Sequence, residues 1–298
     1  MHAHLVPLFY LKHFLEPQTP AGQEPALWRY DVRKKKAKRR SPRNMATLPD
    51  FYGARGGLPP GEKTIEDLLG EVESAAASVL RVWLAKPIGQ RRAVPPEVAR
   101  FIGWLAARTE SMTQIMSGWM AKAIAEGTID EEIADTPFAA SVVMPDGSVR
   151  EFETSRAAQQ LLAAGGELRL GRQLTLEMIH VQAWLFQSRW LPRLHWVILD
   201  APGGCHFVTS DRPVIWTASG IKVDAEPNWL EHEAVQLFVP LSSRTALLAG
   251  VAPVPVGTEV DYRLVNALIA AQATSWIAGP TLSAVQEAVA DGEALRAQ

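Results

Sequence analysis

Residues 195–216 read HWVILDAPGGCHFVTSDRPVIW, and this stretch decides the fold. Two short runs rich in β-branched and aromatic residues, His195–Asp200 and Cys205–Asp211, flank Ala201-Pro202-Gly203-Gly204, which is a turn by composition. Pro213–Trp216 forms a third run, and AVQLFVPL and TALLAG at 234–241 and 245–250 continue the pattern. Short strands joined by turns in this way imply a mainly antiparallel sheet.

Upstream the hydrophobic period changes. Ile65, Leu69, Val72, Ala76, Val79 and Trp83 recur at helical spacing, with Thr64 as the candidate N-cap. Val98, Phe101, Leu105, Met112, Ile115 and Trp119 form a second stripe, opened by Pro95-Pro96 and interrupted at Arg108. Leu174–Leu191 is apolar nearly all round, which predicts a central helix. Pro145-Asp146-Gly147, between β-like runs in Phe138–Phe152, predicts a hairpin. Asp261–Gln272 predicts a closing helix, and residues 264–286 read as a helix, a short strand and another helix.

Helices first and strands later give an α+β class. The expectation is a helix-rich N-terminal two-thirds packed on a mainly antiparallel sheet formed largely by the C-terminal part. No break in composition divides the chain, so a single domain over 1–298 is expected. It would hold a basic loop at 33–43, a helical part at about 62–191, a strand-rich part at about 194–250 and closing helices at about 258–291.

With 298 residues, 47% hydrophobic and 21% charged, the chain can bury a sizeable core. A formal charge of −2 provides no global field toward nucleic acid or membrane, so any such attraction is local. The lone Cys205 allows no internal disulfide. No basic leader and no uninterrupted apolar span of membrane length is visible, so a cytoplasmic protein without a membrane partner is expected. Fingerprints for phosphate loops, dinucleotide loops, zinc-protease helices, paired Cys-x-x-Cys and nucleophile elbows are missing, and none of those chemistries gains support.

Four features carry chemistry. Arg108 stays ionised at any relevant pH, so on an apolar stripe it requires an anionic partner, either a carboxylate of the fold or a substrate phosphate or carboxylate. Glu73 lies at the margin of the preceding helix's buried stripe, seven residues after Glu66; such acids bind a cation, act as acid and base, or pair with a neighbouring base. Thr209-Ser210-Asp211 ends a strand, where sites are built on a rigid sheet and where Ser and Asp also make local turns. Arg33–Arg43 holds eight basic residues in eleven, bracketed by Trp28, Tyr30, Phe51 and Tyr52; this suits a phosphate backbone with stacked bases, or a solvated basic loop. His180 reads as a core histidine, and Cys205 as an inert strand thiol with no activating base nearby.

HLVPLFYLKHF at residues 4–14 resembles the opening signature of an uncharacterised bacterial family, domain of unknown function 4238. Further matches follow in order: Tyr30-Asp31 before the basic stretch, Ser41-Pro42-Arg43-Asn44, Asp50-Phe51-Tyr52, the helix with Glu66 and Glu73, and Arg108-Thr109. FVTSDRP at 207–213, Pro240-Leu241-Ser242 and Asn266 complete the series. The sequence departs from the pattern at Glu110-Ser111, where a proline is usual, and at Ala3, where a second histidine is usual. The resemblance carries no reaction. It implies that His4, Tyr52, Glu73, Arg108, Ser210 and Asp211 are the polar positions that matter.

Together these readings lead to the expectation of a nuclease-like hydrolase acting on phosphodiesters or another anionic substrate, with RNA or DNA engaged through 33–43. Glu73 and Asp211 would serve as base or as ligands of a divalent metal, Arg108 would stabilise developing negative charge, and His4 would be the acid. Tyr52, Ser210, Lys35, Lys38 and Arg40 would contact substrate. The alternatives are a small-molecule hydrolase or binding protein without metal, and a non-catalytic interaction protein whose polar cluster holds helices to sheet.

Overall fold

Val235–Pro240 and Thr245–Gly250 are buried at every residue except Gln236. A strand alternates apolar and polar residues when one face meets water, and reads as a continuous apolar run when both faces are covered. VQLFVP and TALLAG are of the second kind, so layers must lie on both sides of their sheet.

A computed structural model describes residues 2–4, 6–19, 21–45, 47–49, 65–91, 93–128, 140–152, 154–170, 172–218, 235–253 and 261–297. In chain order these form β1 (His2–His4), α1 (Leu8–Leu11), β2 (Leu27–Asp31), β3 (Lys36–Arg40), β4 (Thr47–Pro49), α2 (Ile65–Ala85), α3 (Pro96–Ala107) and α4 (Glu110–Ala125). They continue with β5 (Ala140–Val143), β6 (Val149–Glu151), α5 (Ser155–Ala163), β7 (Glu167–Leu170), α6 (Arg172–Leu185), β8 (His195–Asp200), β9 (Thr209–Ser210) and β10 (Ile215–Ala218). Last come β11 (Val235–Pro240), β12 (Thr245–Gly250), α7 (Tyr262–Gln272), β13 (Trp276–Gly279) and α8 (Leu282–Arg296). The fold is α+β, and its sheets are antiparallel.

One sheet has the order β10-β11-β12-β8. Trp216, Leu237, Ala249 and Trp196 stand in one row across it, and with Val239, Leu247 and Ile198 they join the core made by Tyr10, Leu80, Phe101, Leu105 and Ile179 of the N-terminal helices. The alternate row, Ile215, Phe238, Leu248 and Val197, packs on the opposite face with Val265 and Ile269 of α7 and Val285 of α8. A second sheet, ordered β3-β2-β13-β9, feeds the same two cores: Leu27, Trp276 and Ala278 enter the first and Ile277 the second. A third sheet, β6-β5-β7, shares a small core with α4 and α5 through Val142, Ile124 and Ala158.

The arrangement differs from expectation in four places. The stripe read as one helix from Val98 to Trp119 breaks at Arg108-Thr109 into α3 and α4, and the early strand β2 pairs with the late strand β13. The basic segment is not a loop. Its turn has Lys35 at φ 50 and the Lys34 N–H donating to Asp31 Oδ1, and residues 36–40 form the edge strand β3. Lys36, Lys38 and Arg40 are exposed there, while Ala37 and Arg39 are half-buried, and an edge that carries lysine is protected from pairing with other chains. Within Cys205–Asp211 only Thr209 and Ser210 are strand. Asn266 takes over the backbone at the preceding residues, accepting from Val208 N and donating to the His206 carbonyl. Finally, residues 178–185 of α6 bury one side only: Ile179 and Ala183 are buried, but Val181 is 49% and Trp184 58% exposed, and His180 is exposed rather than in the core.

One close approach fixes α3 against the C-terminal end of α6. A methyl group at Gly103 would lie 2.5 Å from Phe186 Cδ1, so only glycine allows that packing. Phe186 opens a π-helical turn, Phe186–Trp190, which widens the end of α6. Among the described residues no helix is long and apolar enough to cross a membrane.

Candidate functional site

Arg108 is the C-cap of α3, the residue directly after the buried run that ends at Ala107. The last helical carbonyls carry partial negative charge, which favours a cation there. Its side chain is nonetheless withdrawn from water, and the residue is only 1% exposed. Nη1 donates to Glu73 Oε1 of α2 at 2.6 Å. The Glu73 side chain is 29% exposed, so the pair runs from the core to the surface. The interrupted stripe on α3 and the marginal acid on α2 are thus one ion pair, as the need of a buried cation for an anion requires.

The pair is incomplete. Arg108 Nε and Nη2 are buried and have no hydrogen-bond partner among the described residues. These two nitrogens form one edge of the planar guanidinium, the edge that grips two oxygens of an oxyanion at once. Two other arginines of this molecule use that edge fully. Arg263 donates from Nε and Nη2 to the two carboxylate oxygens of Asp291, at 3.0 and 2.8 Å. Arg39 engages Glu16 through Nε, at 3.0 and 2.9 Å, and through Nη2 at 2.8 Å. Both of those pairs lie nearer the surface, so the unsatisfied edge is found where desolvation makes it most costly.

Trp104 stands four residues before Arg108, on the same face of α3. It is 3% exposed, and its Nε1 is likewise buried without a partner among the described residues. By contrast, the Trp83 indole donates to the Ala93 carbonyl at 3.0 Å. The His180 ring of α6 lies 5.6 Å from the Trp104 ring, tilted by 57°. Trp104 was not singled out from the sequence; its spacing of four residues from Arg108 was the available signal.

The strand-end motif is occupied by the fold. Asp211 accepts from the Thr274 hydroxyl and from the backbone N–H groups of Thr274, Ser275 and Trp276 at 3.2–3.3 Å. Ser210 Oγ accepts from Arg212 N and donates to the Arg212 carbonyl, closing a local turn. Thr209 Oγ1 is bonded to the Tyr10 hydroxyl, which donates to the Pro240 carbonyl at 2.6 Å. Burial pushes the Tyr10 phenol well above the usual tyrosine range. Among the described residues no hydrogen bond or ion pair joins Asp211 to Arg108 or Glu73.

His4 lies in β1, opposite Thr47 of β4, and its side chain is outside the described residues, as are Tyr52 and the Glu66 side chain. Lys35 occupies the hairpin turn, and Lys38 and Arg40 are exposed on β3. Among the described residues no group of three His, Cys, Asp or Glu side chains is placed to hold a metal ion.

A family model described as "Protein of unknown function (DUF4238)" matches residues 2–281. The chain belongs to the DUF4238 family. No curated protein and no solved structure matches it. In this DUF4238 protein the matched span includes the Arg108–Glu73 pair, Trp104 and the Asp211 turn.

Proposed function

We propose that this protein is a hydrolase that holds the anionic group of its substrate on the free edge of Arg108 and uses Glu73 as the general base. The observation that carries the reading is the buried guanidinium whose Nε and Nη2 lack partners while Arg39 and Arg263 fill the same edge with carboxylates. Buried N–H donors without acceptors are expensive, and a ligand oxyanion removes the cost. Glu73 Oε1 is held by Nη1, which leaves Oε2, on a partly exposed side chain, for a water molecule. One guanidinium would then orient the base and neutralise charge developing on the substrate.

The preferred substrate is a phosphodiester, with RNA or DNA delivered along the hairpin. Lys36, Lys38 and Arg40 point to one side of β3, and Arg29 faces Lys38 across the pair with its own Nε buried and without a partner. Cations repeated along a strand suit a phosphate backbone. The second reading is a small carboxylated ligand, favoured by the Arg263–Asp291 geometry, in which this edge takes a planar carboxylate.

Hydrolysis of bis(p-nitrophenyl) phosphate and of short RNA and DNA, each with and without magnesium or manganese, tests the proposal. The parent should turn over at least one of them, and Glu73→Gln and Arg108→Met should lose on the order of a hundredfold or more, the scale of a general base. A parent that turns over none, or variants as fast as the parent, would overturn it.

A further inference from the structure

We infer that Trp104 is a specificity-determining residue of this site, its indole N–H being the third donor of a cradle that selects a tetrahedral phosphoryl group over a planar carboxylate. The inference rests on the reading of Arg108 as an oxyanion holder and names the class of oxyanion.

Two nitrogens on one guanidinium edge engage both oxygens of a carboxylate, as Asp291 shows on Arg263. A further donor on a separate side chain gains an oxygen of its own only on a ligand with a third oxygen. Trp104 supplies such a donor. Its Nε1 is buried without a partner, it precedes Arg108 by one helical turn, and it lies on the same face. Long side chains on a helix lean toward its N-terminus, so the Arg108 guanidinium is carried back toward Trp104. Three buried N–H groups without a partner among the described residues therefore belong to one face of one helix: Nε and Nη2 of Arg108 and Nε1 of Trp104. The indole N–H is a donor only and carries no charge. It adds a directed hydrogen bond to a phosphoryl oxygen without repelling Arg108. The His180 ring of α6 lies beside the indole, 5.6 Å away and tilted by 57°.

The test compares inorganic phosphate with acetate, by calorimetry, on the parent, Trp104→Phe and Arg108→Met. Phenylalanine keeps an aromatic ring and deletes the N–H. The parent should prefer phosphate, and Trp104→Phe should lose phosphate affinity by about tenfold, the scale of one hydrogen bond to an anion, with acetate affinity unchanged. Arg108→Met should bind neither. If Arg108→Met abolishes phosphate binding while Trp104→Phe leaves it intact, this inference fails and the Arg108 reading stands. If the parent binds neither anion, both fail. Should Trp104→Phe not fold, the indole N–H resonance of Trp104 in the 15N-labelled parent serves instead. A downfield shift on adding phosphate, but not on adding acetate, supports the third donor, and no shift with phosphate overturns it.

Discussion

Arg108 Nη1 and Glu73 Oε1 lie 2.6 Å apart, yet the two partners occupy different environments, the arginine sealed in the core and the glutamate 29% exposed. That asymmetry sets the response to mutation. Glu73→Gln leaves a buried guanidinium without its counter-charge and should cost about 2 kcal/mol, below the ~3–5 kcal/mol of a fully buried pair. Arg108→Met removes the buried charge and leaves a carboxylate that water can reach, so its stability should match or exceed the parent's. Chemical denaturation of both variants checks the order, and equal losses would contradict it. Added phosphate should restore Glu73→Gln in particular, by about 2.7 kcal/mol at a hundred times the dissociation constant.

Asp211 acts on a different part of the molecule. Its carboxylate gathers three backbone N–H groups and one hydroxyl from residues 274–276, fixing the entry to β13. Asp211→Asn should lose about 2 kcal/mol, in the range of hydrogen bonds to a charged group, while phosphate affinity stays at the parent level. Thermal melting beside a phosphate titration separates the two effects. A stable variant that has lost phosphate binding would return Asp211 to the site.

What could be read from the sequence divides along physical lines. A single charge on an apolar stripe demands a partner, so Arg108 was legible, and Glu73 was legible as the acid at the edge of the neighbouring stripe. The helix, strand and helix at 264–286 were legible because Gly279-Pro280 breaks an apolar stretch too long for one element. Which strands pair was not legible, since β2 meets β13 across more than two hundred residues and periodicity carries no long-range address. For the same reason the Asp211 turn looked like a site: its donors lie 63 to 65 residues away. The basic segment was misread because charge density suggests a loop, whereas the alternation of Lys36, Lys38 and Arg40 with Ala37 and Arg39 is that of an edge strand. Trp104 was not legible as a site residue, because an indole hides its donor inside an apolar outline.

Neutralising Lys36 and Lys38 together should weaken single-stranded nucleic-acid binding and reduce the slope of log affinity against log salt by about 1.4, from roughly 0.7 per phosphate contact. Both side chains are exposed, so the fold should be unaffected. Arg39→Gln is the control of opposite kind: it breaks the Glu16 pair and should lower stability more than binding. Binding isotherms over a range of salt concentrations give the comparison, and an unchanged slope in the double-lysine variant would remove β3 as the interface.

The Tyr262 phenol is pushed up to about 12, first by its hydrogen bond with Cys205 and then by burial. Folding therefore favours the neutral phenol. The resulting stability is fully present below the unfolded tyrosine value of about 10 and is lost as pH rises through about 12. Cys205→Ala should fold, keep any hydrolytic activity and let Tyr262 ionise at lower pH. Tyrosinate absorbance of the parent, Tyr262→Phe and Cys205→Ala across the alkaline range shows whether it does, and an unshifted Tyr262 in Cys205→Ala would contradict the assigned cause.

The most direct test of the oxyanion reading is calorimetric titration of inorganic phosphate into the parent and into Arg108→Met. The account predicts one site per chain in the parent and no detectable heat of binding in the variant, with the variant folded and at least as stable. Equal binding by parent and variant, or a parent that binds no phosphate while Arg108 stays buried, would contradict it.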